Sequence, residues 1–323
     1  MPRKKVPSGP AAPPATPAFK QAESSLRAQQ SPPPTVSGRW LLTAASLAIL
    51  AAAVCAWGAL CLLFWQGSWQ LLYHPASSVA RTPASLGLAF ESVGFATTEA
   101  GVPRLKGWWI PAALDARYSR YTVLYLHAQN GNLGDAVDDV AALHEVGVNV
   151  LAFDYRGYGQ SQFARPSEAR WREDTEWALQ YLTGTRHVAP GAIILIGEDL
   201  GANLVLEIAA RHAELAGVVL ESPLDAPLNA IFNDPRARLV PAHLLVHDRF
   251  DAATPAAALR IPSLWFLQAG MNQTGSPKEP NAFQKASSAK MLVWIPASSG
   301  GNKTLAESLA RWLDDLPVRA SNP

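Results

Sequence analysis

The stretch Ile193-Ile-Leu-Ile-Gly-Glu-Asp-Leu-Gly201 leaves the chain few architectures to choose from. A short aliphatic run predicts a strand, and Gly-x-x-x-Gly carries it straight into a helix whose Leu200, Leu204 and Ile208 share one stripe. Gly197 and Gly201 are needed because such a turn is tight, and the residue at its apex, Asp199, must sit in a strained backbone conformation. A strand, tight turn and helix in this order belong to a sheet with parallel strands.

The remaining pattern agrees. Ala89 to Thr97 and Arg104 to Ile110 read as a leading antiparallel pair, then come strands at Tyr121 to His127, Val148 to Phe153, Ala192 to Ile196, Gly217 to Leu220, Ser263 to Leu267 and Met291 to Ile295. Helices are expected at Leu133 to Val146, Ser167 to Leu182, Leu200 to Glu214 and Thr304 to Leu313. Uninterrupted β-branched runs separated by helices predict strands buried on both faces. The fold class is therefore α/β, with a mostly parallel, eight-stranded, doubly wound sheet.

The first quarter differs in composition. Residues 1–38 hold nine of the 26 prolines and no apolar period, which predicts a disordered Pro-rich tail. From Leu41 to Trp65, 22 of 25 residues are apolar and none is charged. At ~1.5 Å per residue such a run crosses a hydrocarbon core of roughly 30 Å, so residues 39–66 are expected to be a transmembrane helix and 67–323 the folded domain. Arg3, Lys4, Lys5, Lys20, Arg27 and Arg39 precede the run and Arg81 follows it, which predicts a single-pass protein with a cytoplasmic N-terminus and an extracytoplasmic domain. Trp40, Trp65, Trp69 and Tyr73 bracket the run as interfacial aromatics do. A net charge of +1 argues against nucleic-acid partners. Cys55 and Cys61, both inside the apolar run, allow neither a disulfide framework nor a cysteine zinc site.

Four segments in order, Leu126-His-Ala-Gln-Asn-Gly-Asn-Leu133, Phe153-Asp-Tyr-Arg-Gly-Tyr-Gly-Gln-Ser161, Gly197-Glu-Asp-Leu-Gly201 and Leu220-Glu-Ser-Pro223, resemble the α/β-hydrolase superfamily. They are most similar to its membrane-anchored, serine-aminopeptidase-like branch. That resemblance implies a serine at the elbow, a histidine after the last strand, an acid after the strand before it, and an oxyanion hole of backbone NH groups. Here Asp199 holds the elbow, while Asn272 and Gly300 fall nearest the acid and histidine positions. The oxyanion-hole positions are Gln129 and Leu200, with Ala128 where the family carries glycine. None of the seven histidines follows the last strand.

Two roles for Asp199 follow. As a nucleophile it would form an ester whose hydrolysis needs a general base. As a helix N-cap its carboxylate would accept orphan NH groups, or fill the oxyanion site through the NH of Leu200. Glu198 and Asp199 lack a third metal ligand at local spacing, so neither metal nor cofactor is implied. His243 and His247, spaced i, i+4, lie in the excursion 222–258, where a lid would sit. The expectation is a membrane-anchored protein that keeps the hydrolase fold without serine-hydrolase chemistry and binds a small apolar or acyl ligand or a protein partner. The competing expectation is an active hydrolase of acyl esters, amides or lipid-like substrates, working through Asp199 or relocated residues.

Overall fold

The computed structural model describes Gly9 and residues 36–268, 279–295 and 301–317. Asn272, Gly300 and nearly all of the Pro-rich tail lie outside these residues. Two compact units divide between Gly58 and Ala59. A 30-residue helix, α1 (Gly38–Gly67), crosses that division, with Trp40, Leu42, Leu47 and Ile49 among its exposed side chains. It is long and apolar enough to cross a membrane.

The larger unit follows in the order β1 (His74–Pro75), β2 (Glu91–Thr97), β3 (Pro103–Ile110), β4 (Thr122–Leu126), β5 (Asn130–Gly131), α2 (Val137–Val146), β6 (Asn149–Asp154), α3 (Glu168–Gln180), β7 (Ile193–Glu198), α4 (Leu200–Ala209) and β8 (Gly217–Glu221). Short helices α5 (Asn229–Phe232), α6 (Ala242–Leu245) and α7 (Ala253–Ala258) lead to β9 (Ser263–Gln268), α8 (Asn281–Lys285), β10 (Lys290–Ile295) and α9 (Gly301–Asp315).

Eight strands form one mixed sheet in the order β10-β9-β8-β7-β4-β6-β3-β2. The six strands from β10 to β6 pair in parallel, and β3 is antiparallel to both β6 and β2. This is an α/β-hydrolase fold. Strand alternation divides the core: Leu124, Leu126 and Leu195 pack with Trp171 of α3 and Leu204 and Ile208 of α4. Val123, Tyr125, Ile194 and Ile196 pack with Val137 and Val140 of α2 and Leu309 and Trp312 of α9. With both faces covered, β4 is buried at every residue, which explains its unbroken apolar sequence.

Two helices are shorter than their apolar patterns predict, and a third changes its winding. Residues 133–136 form a turn because Asn132 and Asp135 satisfy it locally: Asn132 N–H donates to Asp135 Oδ2 at 3.0 Å, and Gly134 N–H to Asn132 Oδ1 at 2.8 Å. Helix α3 ends at Gln180 in a π-type turn, Tyr181–Thr185, that includes Gly184. Helix α4 ends at Ala209, after which His212 is held by Glu176 and Glu214 instead of continuing the coil. The parallel pairing of His74–Pro75 with Asn130–Gly131 has no periodic sequence signal.

Candidate functional site

Ligands of open α/β sheets bind beyond the carboxyl ends of the strands, where the strand order reverses. In this sheet that point lies between β4 and β7, and the turn from β7 to α4 stands there. Asp199 holds φ 49° and ψ −115°, a conformation rare for a side-chain-bearing residue. Asp199 N–H donates to the Glu221 carbonyl at 2.9 Å, and its own carbonyl accepts from Ala202 and Asn203 at 3.1 and 3.3 Å. The glycines make the approach possible. A Cβ on Gly197 would overlap the Gly201 carbonyl, and a Cβ on Gly201 would overlap the carbonyls of Leu126 and His127.

The Asp199 carboxylate makes no cap hydrogen bond, which corrects the expectation of an N-cap. N-cap residues ordinarily adopt extended φ/ψ that folds the side chain back over the helix end, and the positive φ at Asp199 forfeits this. The Leu200 N–H donates at 3.3 Å to the side-chain Oε1 of Gln129. Gln129, not Asp199, thus occupies the donor assigned to an oxyanion. The Gln129 backbone is pinned as well, its carbonyl accepting from Tyr158 OH at 2.9 Å and His74 N–H at 3.0 Å.

Carboxyl groups crowd the turn. Glu198 and Glu221 are register partners on β7 and β8. Burial, reinforced by Asp139 and Asp199, pushes Glu198 up to about 7. Burial holds Glu221 well above the usual carboxylate range, with Asp139, Glu198 and Asp199 adding to it, and Glu221 Oε1 has no hydrogen-bond partner among the described residues. Asp199 is raised too, again by burial. Tyr125 OH reaches Glu198 Oε2 at 3.4 Å and Asp139 Oδ2 at 3.5 Å. Among the described residues no group of three or more His, Cys, Asp or Glu is arranged to hold a metal ion.

The described contacts of six histidines lie elsewhere. His127 is buried against Tyr155, Tyr158 and Trp171, its Nδ1 is 2.7 Å from the Ala128 carbonyl, and burial lowers its pKa to about 4. His74 pairs with Asn130, His144 with the Pro111 carbonyl, and His212 with Glu176 and Glu214. His243 lies 4.1 Å from the Phe232 ring, and His247 lines a cavity with Trp65 and Arg165. None of these contacts joins an imidazole to Asp199.

Asp154 and Arg156 act as ties. Asp154 Oδ1 accepts from Leu133 N–H at 2.9 Å, and burial pushes the acid up to about 7. Arg156 grips Asp174 and Glu173 and lies over the Trp177 ring. Sequence reasoning missed two buried ties. Asn203 donates to the carbonyls of Leu224 and Phe250 at 2.8 and 2.7 Å and accepts from Leu224 N–H at 2.8 Å, so α4 holds both ends of the excursion 222–258. Glu168 accepts from the N–H groups of Arg249 and Phe250 at 2.6 and 2.9 Å. A lone Asn or Glu in an amphipathic helix reads as a surface residue; only the folded partners reveal the tie.

Residues 121–265 match the family model described as the alpha/beta hydrolase fold. An uncharacterized protein of Mycobacterium tuberculosis is 29% identical over 80% of this chain and 91% of its own length. The uncharacterized protein YfhR of Salmonella typhi is 32% identical over 59% of this chain and 67% of its own. Human alpha/beta hydrolase domain-containing protein 17C is 36% identical over 36% of each chain. A Pyrococcus furiosus esterase aligns with a TM-score of 0.57 and 17% identity, over 76% of this chain and 98% of the esterase. At that identity the likeness concerns the fold alone.

Proposed function

Because the chain belongs to the α/β-hydrolase superfamily, we propose that it is a membrane-anchored member of the serine-aminopeptidase-like branch that has kept the nucleophile elbow and given up serine-hydrolase chemistry, acting by binding. The observation that carries the reading is the hydrogen bond from Leu200 N–H to Gln129 Oε1. An oxyanion hole works by holding donors empty and aimed where charge develops, and here the donor at the helix start is already spent on a side chain.

Two further observations favour it. An oxyanion at the elbow would form in the same poorly solvated surroundings in which burial already holds Glu198, Glu221 and Asp199 toward their protonated forms, so the site disfavours the charge that acyl transfer must build unless free donors meet it. No described histidine contact reaches Asp199, and Asn272 and Gly300 bring no acid or imidazole to the positions the family uses. The strained φ of Asp199 fits a turn inherited from a nucleophile. Helix α1 would be the anchor, with the N-terminus cytoplasmic and the domain beyond the membrane.

The test is fluorophosphonate labelling and p-nitrophenyl ester turnover by the full chain, compared with Asp199→Ser and Asp199→Ala. All three are expected to be inactive, because replacing the apex residue restores neither base nor open hole. Turnover by the unaltered chain that vanishes in Asp199→Ala would establish the competing reading, an Asp-based hydrolase of acyl esters, amides or lipid-like substrates.

A further inference from the structure

We propose that the end of α1 and the excursion 222–258 form a binding site for one anionic phospholipid, with an acyl chain in an apolar groove and the phosphate against Arg165 and Arg170. The proposal rests on the membrane reading of α1 and adds a ligand to it; it is independent of whether Asp199 is catalytic.

A groove of about 220 Å³ runs between Leu60, Leu63, Phe64 and Leu71 on one wall and Val240 on the other. Arg236, at its edge, is held by Asp234 through Nε at 2.8 Å and Nη2 at 2.9 Å, so no unpaired charge is offered to the groove. The wall is the last part of the same helix that is apolar enough to cross a bilayer, so a lipid lying along the helix has a direct path into the groove. Ser68, buried, lines both this groove and a neighbouring cavity of about 340 Å³.

The second cavity has the opposite character. Trp65 and Trp69 line it together with Arg165, Arg170 and His247. Arg165 spends one donor on the Trp65 carbonyl at 2.7 Å and lies 5.7 Å over the Trp65 ring, while Arg170 donates to the Arg165 carbonyl at 2.7 Å. Among the described residues the one carboxylate on the cavity wall, Asp248, already accepts from Tyr73 OH at 2.7 Å and Glu168 N–H at 3.1 Å. Two arginines therefore line a cavity with a single carboxylate whose oxygens already accept from neutral donors, leaving an excess of positive charge that favours a phosphate. Burial lowers the Arg165 pKa from its ordinary value, and a bound anion would offset that cost.

The two cavities share Ser68, one of them apolar and the other lined by indoles and arginines, a pairing that matches the chain and the phosphate of a phospholipid. Tryptophan prefers that interfacial depth. Phe163, Leu239 and Leu244 are 94%, 60% and 77% exposed, and each lies within two residues of a lining side chain, Arg165, Val240 and Leu245 respectively. One exposed leucine is ordinary; three large apolar side chains, each close in sequence to a residue lining one of these cavities, suit a surface that rests on a bilayer.

The experiment is native mass spectrometry of the full chain in non-ionic detergent, titrated with dioleoylphosphatidylglycerol. One lipid is expected to be retained. Val240→Trp, which fills the groove, and Arg165→Gln with Arg170→Gln, which removes the charge, are each expected to lower occupancy about fivefold or more. Dioleoylphosphatidylcholine should be held about fivefold more weakly, and glycerol phosphate without chains should not be retained. Thermal unfolding of each variant separates lost folding from lost binding, and the groove and charge variants perturb different contacts. Equal lipid occupancy in all chains overturns the proposal, as does equal retention of glycerol phosphate. Lipid retained only after removal of residues 1–35 overturns it in favour of the chain's own leading segment. Alkaline carbonate extraction of membranes tests the premise separately: release of the chain sinks both readings, whereas a membrane-bound chain with unaltered lipid retention in the variants sinks this one alone.

Discussion

Asn203 ties both flanks of the excursion 222–258, since it bonds Leu224 on one and Phe250 on the other. Asn203→Ala would leave two carbonyls and one N–H buried without partners, each costing about 1–3 kcal/mol with partial relief by relaxation. The expected loss is about 2–4 kcal/mol, read by chemical unfolding of the full chain in detergent, with Asn203→Leu no better because shape without hydrogen bonds leaves the same groups orphaned. Glu198 makes a pH-dependent prediction. Its folded pKa is about 7 against an ordinary 4.5, so the folded state keeps a proton that the unfolded state releases, and its contribution to stability declines as pH rises from about 4.5 to about 7. Glu198→Gln should therefore gain stability relative to the parent across that window, on the order of 1–3 kcal/mol, and gain nothing further above it. His127 has the opposite slope between about 4 and 6.5, because its neutral folded form loses stability as the unfolded imidazole protonates on acidification. Since His127 is present in both chains, its slope cancels in the comparison. At this scale the sequence showed where Asp199, Gly197 and Gly201 would sit, because their roles are set by neighbours within four residues. It did not show that Gln129 would reach Leu200, a contact across 71 positions that depends on how two loops approach.

The strand-to-helix turn depends on an approach that no side chain permits. A methyl on Gly201 would meet the carbonyls at the end of β4, and backbone there cannot yield without parting α4 from the sheet. Gly201→Ala is expected to lose about 3 kcal/mol or to fail to fold, whereas Gly184→Ala, in the π-type turn after α3 with open space around it, should be neutral or stabilising by up to about 1 kcal/mol. Comparing the two midpoints of thermal unfolding in one detergent checks the argument, and equal midpoints would refute it. The strands were legible because burial on both faces forces an apolar composition that no helix turn interrupts. The ends of α2 and α4 were not, since local side-chain bonds of Asn132, Asp135 and His212 end helices without disturbing the apolar period.

The last turns of α1 belong to the core of the larger unit as much as to the apolar helix. Phe64 is buried within the cluster that contains Tyr73, Trp171 and Phe250, and Arg165 binds the carbonyl and ring of Trp65. A composition reading places a boundary where apolar residues stop, near residue 66, because a lipid-facing leucine and a core-facing phenylalanine have the same hydropathy. Contacts distinguish them, and they group Ala59 onward with the larger unit. Shortening the chain to start at Ala59 should therefore leave the unfolding midpoint of the domain nearly unchanged, while starting at Leu72 should remove Phe64 and Trp65 and cost about 3–5 kcal/mol, the penalty of deleting a buried aromatic. Equal stability of the two shortened chains would mean that the helix end merely lies against the domain, and that the groove beside Val240 has a wall free to move.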